Sequence, residues 1–539
     1  MATKHHTGDI DADVEKKVVL PGRSSADADA DAVNKVNYDE TRSVSDDGLT
    51  ALPKGTFDPV YEAKARVLNE AIQEIGMGWY QWQLFIVVGF GWAADQLWPT
   101  AGGLTYPSLV NEFKPSKGPT WQLAGNIGIL FGALFWGFSS DIIGRRYAFN
   151  ITLAITGVFG MVAASSTNWV MVCSFKALWY FGVGGNLPVD SALFIEFLPK
   201  SHQFLLTVLS VDWSLASLLA NLIAWPILGN LTCPQKATCV RKDNMGWRYF
   251  LIAMGGVTFV MFAIRFFFFT IFESPKFLMG KGKDEEAVRV VHEVARRNGK
   301  TSNLTLADLK ACEPEGYVAE TDAAAIVKRR LEVVKFTRVR DLFRGRKLAW
   351  STTLLILIWG FIGLAYPLYN GFVTYLLAQK GANFGKSSPS ITYRNSTIIA
   401  AMGVPGALIG AFLTEQPRIG RKGALAFAIL MSGVFLFLTT TAKTLNAYLG
   451  FNCGWSVFST MMYSILYSFT PELFPTSHRG TGNALTASAN RLFSVFSPVI
   501  AMYANLNTPV PVYVSGALFF AAGLLVIVLP FESRGKAAL

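Results

Sequence analysis

Two charged residues stand where charge is expensive. Asp95 lies in Gly-Trp-Ala-Ala-Asp-Gln-Leu-Trp and Arg491 in Ala-Asn-Arg-Leu-Phe-Ser-Val-Phe-Ser-Pro, each well inside a long apolar run. A charge at the centre of a bilayer costs about 2.5–3.5 kcal/mol on insertion scales, so each needs a reason. A carboxylate taken out of water suits reversible protonation, which makes Asp95 a candidate proton or cation site; the alternative is a hydrogen-bonded structural aspartate. Arg491 offers a permanently charged fork that matches a carboxylate with two parallel hydrogen bonds, so it is a candidate for an anionic group; the alternative is internal pairing. Asp212 is a candidate partner or relay. Tyr366, Tyr369 and Asn370 surround Pro367, which frees backbone groups at an expected bend, and their rings and amide suit an organic solute. Lys176 reads as a snorkelling lysine near the end of its span. Arg265 reads as snorkelling or paired, and Asp190 and Glu196 lie toward the end of their helix.

Enzyme constellations are missing. The run His292-Glu-Val-Ala-Arg stops short of H-E-x-x-H, and neither G-x-S-x-G nor a phosphate-binding lysine loop occurs. Gly182, Gly184 and Gly185 read as close helix packing. Five cysteines, at 173, 233, 239, 312 and 453, form no CxxC pair and no Cys/His metal spacing. The expectation is a non-enzyme with no cofactor and no metal.

The elements that must position these residues are membrane helices. Of 539 residues 51% are hydrophobic and only 16% charged, against about 25% in soluble domains. The net charge of +11 is spread over short loops and one central segment, without an aromatic-basic stripe, so nucleic acid is not an expected partner. Basic loops on the cytoplasmic side explain it more simply. Apolar segments run at 84–110, 121–139, 148–167, 169–198, 204–229 and 247–272, then at 349–378, 396–414, 423–442, 445–470, 481–505 and 510–531. Each approaches or exceeds the about 20 residues that cross a bilayer. The fold class is therefore all-α, with twelve transmembrane helices as two six-helix bundles.

Residues 1–75 form a polar, disordered tail with a short helix before the membrane. Residues 76–272 are the first bundle, 273–348 a cytoplasmic linker with short helices, 349–531 the second bundle and 532–539 the tail. With no signal peptide and an even number of spans, both termini are expected in the cytoplasm. The loop at 230–245 then faces outside, where Asn230-Leu-Thr is a glycosylation sequon and Cys233 and Cys239 either form a disulfide or remain loop thiols. Asn395-Ser-Thr is a second sequon on that face, at the start of a span.

Three signatures recur. Gly144-Arg145-Arg146 is answered by Gly420-Arg421-Lys422, and the Glu-x-x-Pro-x-Ser-His runs at Glu196 and Glu472 answer each other, both at an offset of 276. Phe-Glu-Ser at 272–274 returns at 531–533, an offset of 259. The chain is two homologous halves. Gly137-x3-Asp141-x2-Gly144-Arg145-Arg146, Glu-Ser-Pro-Lys-Phe at 273–277 and Pro-Glu-Leu-Phe-Pro-Thr-Ser-His-Arg479-Gly resemble the loop signatures of the major facilitator superfamily. The second loop copy departs, with Pro417 where the Asp belongs and Glu415 two residues earlier. Gly-Val-Gly-Gly-Asn-Leu-Pro-Val-Asp (182–190) and Ala-Tyr-Pro-Leu-Tyr-Asn (365–370) resemble a fungal group in the branch of synaptic-vesicle-two-related proteins, organic ion transporters and aromatic-acid:proton symporters.

The resemblance implies a secondary active transporter in the plasma membrane, working by alternating access on a proton gradient. It implies an organic anion at Arg491, and an acidic proton site at Asp95. Asp141, Arg145 and Arg146 would pair with helix ends and Glu196 to latch the cytoplasmic side. Sugar uptake and metabolite efflux are the alternatives within transport, and a non-transporting sensor lies outside it. A monomer in the lipid bilayer, binding one small molecule, is the expected working unit.

Overall fold

A computed structural model describes residues 59–530 except 235–238, 315–335, 387, 415, 417–418, 475–478 and 507. The expected tail at 1–58, the middle of the linker, Glu415 and Pro417, part of the second signature and the Phe-Glu-Ser repeat at 531–533 therefore lie outside the described residues, as does the side chain of Asp141.

Every regular element among the described residues is helical. With no water in hydrocarbon, each backbone N–H and C=O must be satisfied within its own helix. The first half contains α1 (Pro59–Ile75), α2 (Trp79–Phe113), α3 (Thr120–Ile143), α4 (Arg145–Val162), α5 (Trp169–Phe197), α6 (Val211–Asn230) and α7 (Gly246–Ala263). The linker helix α8 (Asp284–Arg297) follows. The second half contains α9 (Arg346–Asn370), α10 (Val373–Asn383), α11 (Pro389–Thr414), α12 (Gly420–Thr441), α13 (Leu445–Phe469), α14 (Arg479–Tyr503) and α15 (Val510–Val528). The spans are α2–α7, then α9 with α11–α15, six to a half. Eight of them are apolar enough to be recognised as spans by hydropathy alone; α2, α5, α13 and α14 are not among the eight. Local signals fix the ends: Asn168 caps α5 by accepting from Met171 N–H at 2.8 Å, and Thr444 caps α13 by accepting from Ala447 N–H at 3.2 Å.

The duplication is visible in the ion pairs. Arg145 pairs with Glu196, and 276 residues later Arg421 pairs with Glu472. Each pair ties the turn between two helices to the end of a third, and each lies within one half. Glu273 adds a second tie, accepting from the N–H groups of Arg145 (3.0 Å) and Arg146 (3.3 Å) at the start of α4, where unpaired donors and the helix dipole favour a carboxylate. Gly144 carries this turn at φ +108°, and a Cβ there would strike the Glu273 carboxylate. Gly420 occupies the matching turn at φ +69°. Gly137 sits in the last third of α3 with open space beside it, and Arg479 opens α14.

Arg265 is fully buried where α7 passes into a π-turn at Ile264–Phe268. Its guanidinium donates to Asp190 Oδ2 (2.5 Å), Val87 O (3.0 Å) and Phe149 O (2.9 Å), fastening α7 to α5, α2 and α4. Pairing, and not snorkelling, is its role. Pairing is one of its two expected roles, whereas Lys176 departs from the snorkelling expectation, since its side chain is buried inside the first half. Gly182 and Gly184 do serve close packing: a Cβ on either would overlap atoms of α4 or α3.

At the linker, Lys64 on α1 donates to Asp284 and to Glu313 Oε1 (2.5 Å). Burial opposes its charge, yet the two carboxylates outweigh that and hold the ammonium above its ordinary pKa. Asn298 accepts from Tyr80 N–H (3.0 Å) and donates to Gln81 Oε1 (2.8 Å), seating α8 on the start of α2. At the opposite end of the spans Cys233 and Cys239 are joined as a disulfide. Asn230 is exposed there. Asn395 is 1% exposed within α11, so the second sequon cannot accept a glycan in this fold.

Breaking a buried ion pair leaves an uncompensated charge and costs about 3–5 kcal/mol, whereas replacing both partners by apolar groups is often neutral. Arg265→Gln is therefore expected to lower the melting temperature of purified protein by several degrees, and Arg265→Met with Asp190→Leu to recover most of the loss.

Candidate functional site: a midplane cavity with an ion pair between the halves

Between the two halves lies a cavity of about 240 Å³. Its walls come from α2, α3, α5 and α6 on one side, from α9, α11, α13 and α14 on the other, and from Gly371 and the first turn of α10. None of the described residues lining it comes from α4, α7, α12 or α15. The helices that hydropathy alone misses, α2, α5, α13 and α14, all line it. So do α3, α6, α9 and α11, which hydropathy recognises.

Asp95 and Arg491 meet in this cavity. Arg491 Nη2 on α14 donates to Asp95 Oδ1 on α2 at 3.3 Å, joining the halves near the middle of both helices. The pair is not dry: the Arg491 side chain is 27% exposed and that of Asp95 is 12% exposed. A guanidinium has five donors and this bond uses one, so Arg491 retains capacity for a second acceptor.

Aromatic rings line the side of the cavity formed by the second half. Tyr366 stacks on Trp455 (ring centroids 5.8 Å apart) and meets Tyr463 edge-on at 4.9 Å. Trp213 from α6 reaches across the halves to Tyr467 at 4.8 Å. Toward the disulfide end the cavity is closed by side chains of one half donating to backbone oxygens of the other. Gln122 Nε2 donates to Gly371 O (3.0 Å) and Asn126 Nδ2 to Ser494 O (2.6 Å), from adjacent turns of α3. Tyr393 donates to Leu104 O (3.1 Å) and Thr397 to Asn221 O (3.2 Å). Such neutral bonds are worth about 0.5–1.5 kcal/mol each, so the closure is real but reversible. Gly371 sits in the break between α9 and α10, a few residues past the bend expected at Pro367. A Cβ there would crowd Gln122 Nε2 and Pro367 O, so this contact needs glycine.

Of the residues singled out in the sequence, Asp95, Arg491, Tyr366 and Asn370 line the cavity. Tyr369 does not. It is 1% exposed in the core of the second half, where its hydroxyl donates to Asn452 Oδ1 at 2.7 Å. Asp212 is also off the lining, although its neighbours Trp213 and Ser214 are on it. Arg145, Arg146, Glu196, Gly420, Arg421 and Glu472 lie at the far end, away from the disulfide. Gln122, Asn126, Trp455, Tyr463 and Tyr467 were missed by sequence reasoning. Gln122 and Asn126 had a readable signal, two amides four residues apart on one face of an apolar span.

The family follows from a match that covers most of the spans: residues 84–498 fit the Major Facilitator Superfamily. The chain belongs to that superfamily. It is 50% identical over 531 residues to MFS siderochrome iron transporter 1 of Ceriporiopsis subvermispora, covering 98% of this chain and all of the relative. It is 39% identical over 496 residues to a major facilitator-type transporter of Emericella nidulans, covering 89% and 88% of the two chains. At 25% identity over 519 residues it is similar to the synaptic vesicle 2-related protein of Bos taurus, covering 91% and 85%. In fold it is similar to the inward-open xylose transporter XylE from E. coli, with a TM-score of 0.62 at 16% identity over 85% of this chain and 98% of that one. The protein is a multi-pass membrane transporter of the major facilitator class and not an enzyme.

The two tyrosines of α9 separate by experiment. Tyr369→Phe strands the Asn452 acceptor and is expected to cost about 1–3 kcal/mol of stability without changing solute affinity. Tyr366→Ala is expected to weaken solute binding. Thermal melts and uptake kinetics on the two variants check both.

Proposed function

We propose that this transporter moves a small organic anion together with a proton, with Arg491 as the anion site and Asp95 as the proton site. The observation that carries the reading is the Asp95–Arg491 pair itself, which spans the two halves inside the cavity. Charge accounting then gives the coupling. Empty, the pair is neutral. When a carboxylate docks on Arg491, an ionised Asp95 would leave two negative charges on one guanidinium. A proton on Asp95 removes that repulsion and restores neutrality. The half-loaded states, with proton or anion alone, each carry one net charge. A net charge is costly to enclose away from water, so they rock slowly. Counted at the Asp95–Arg491 pair alone, this gives one proton per negative charge.

The Tyr366, Trp455 and Tyr463 rings favour a flat or aromatic body for the solute. The basic turns at Arg145–Arg146 and Arg421–Lys422 support placing their end, with both chain termini, in the cytoplasm. Asn230 and the Cys233–Cys239 bridge then face outside, which supports a plasma-membrane glycoprotein. The cavity reaches from its closed disulfide end toward Ser210, Ala407 and Tyr467, which supports a cytoplasm-facing state. A second reading, uptake of an iron–siderochrome complex, is supported by the 50% identity to a relative of that name.

A thermal-shift screen separates these readings, because a ligand that binds the folded state raises its melting temperature. Aromatic monocarboxylates are expected to stabilise the wild type, their amides to do so much less, and Arg491→Gln to lose the difference. Stabilisation by ferric chelates alone, or carboxylate shifts that persist in Arg491→Gln, would contradict the anion reading.

A further inference from the structure

Lys176 on α5 is fully buried, yet among the described residues no carboxylate pairs with it. Its ammonium donates to Gln122 Oε1 at 2.5 Å and lies 4.1 Å from the Trp121 ring centroid and 5.1 Å from that of Tyr180. Gly102 on α2 and Gly125 on α3 leave the space it occupies, since a Cβ on either would press on its Nζ or Cε. One amide oxygen and two ring faces are weak compensation for a cation held away from water. Buried cations in proteins are normally paired with a carboxylate, and among the described residues this one is not.

Its neighbours explain why. Gln122 and Tyr180 both line the cavity, so Lys176 stands directly behind the wall. Gln122 holds Lys176 with its oxygen and, with its nitrogen, donates to Gly371 O at 3.0 Å across the halves. Any opening of the disulfide end must break the bond to Gly371, because the two residues belong to different halves. The Gln122 amide is then free to turn away from Lys176, and the ammonium faces the cavity between Trp121 and Tyr180. A carboxylate is a stronger acceptor for an ammonium than an amide oxygen is.

We propose that Lys176, with Trp121 and Tyr180 as its walls, is a second anion site that captures an organic carboxylate while the disulfide end of the cavity is open. As that end closes, Gln122 returns to Lys176 and the carboxylate passes to Arg491. The inference rests on reading the cavity as a carboxylate site. It adds an asymmetry: Lys176 serves solute arriving from the disulfide face and not solute arriving from the opposite face.

The test uses the full chain reconstituted in vesicles of defined orientation, with radiolabelled benzoate, phenylacetate and salicylate as probes. In Lys176→Met the KM from the disulfide face is expected to rise about tenfold or more, equivalent to about 1.4 kcal/mol. The KM from the opposite face stays within twofold, and Lys176→Arg retains near wild-type capture. Because Lys176→Met removes an unpaired buried charge, the ligand-free protein should melt no lower than wild type. An unchanged KM at both faces overturns the proposal. So does an equal loss at both faces with a lower melting temperature, which marks a structural lysine. If the wild type transports none of the three carboxylates from either face, the anion reading of Arg491 falls, and this inference with it.

Discussion

Asp95 and Arg491 face each other at 3.3 Å from helices that belong to different halves of the chain, and the surrounding architecture can be derived from what that contact requires. Neither charge is affordable alone at mid-membrane depth, so each must find the other or a ligand. A second pair in the first half shows the contrast. Arg265 and Asp190 are both 0% exposed and sit within one bundle, where backbone acceptors from two further helices, α2 and α4, fix the guanidinium. Fully dry, that pair serves as a rivet. The cavity pair retains 27% and 12% exposure, uses a single hydrogen bond, and leaves donors free. Wet, under-committed and shared between moving parts, it is the pair suited to trading partners.

The cavity also bears on the hydropathy of the spans. A helix that faces lipid all along one side has to be apolar there, and α4, α7, α12 and α15 line no part of the cavity. A helix with one face in a polar cavity gives up part of that apolarity. All eight lining spans do this to different degrees, and among them α2, α5, α13 and α14 carry Asp95, Tyr180, Tyr463, Tyr467 and Arg491 into the site. Among the described residues, closure at the disulfide end relies on amide and hydroxyl donors to backbone oxygens and not on ion pairs. Each such bond is weak enough to be broken during a transport cycle.

Much of this was legible in the residues because the chain repeats itself. The offset of 276 aligned Arg145 with Arg421 and Glu196 with Glu472, and both pairs form. What sequence could not resolve were angles around helices. At about 100° per residue Asn370 lies about 40° to one side of Tyr366 and Tyr369 about 60° to the other. Tyr366 and Asn370 reach the cavity, and Tyr369 turns into the core toward Asn452. Asp212 falls off the face made by Ser210, Ser214, Ser217 and Asn221 for the same reason. Lys176 defied the snorkelling expectation because Gly102 and Gly125, distant from it in sequence, open a pocket that only the packed bundle contains. The sequon at Asn395 failed because α11 begins before it, at Pro389, and buries it.

The exchange of partners at Arg491 is tested most directly by proton movement. Vesicles containing the wild-type protein, suspended in weakly buffered medium, should alkalinise that medium when an accepted carboxylate is added and taken up. Asp95→Asn keeps a neutral, similarly shaped side chain beside Arg491. It should abolish the alkalinisation and uphill uptake while still exchanging labelled for unlabelled carboxylate across the membrane. Uptake in Asp95→Asn that remains uphill and proton-driven would contradict the account.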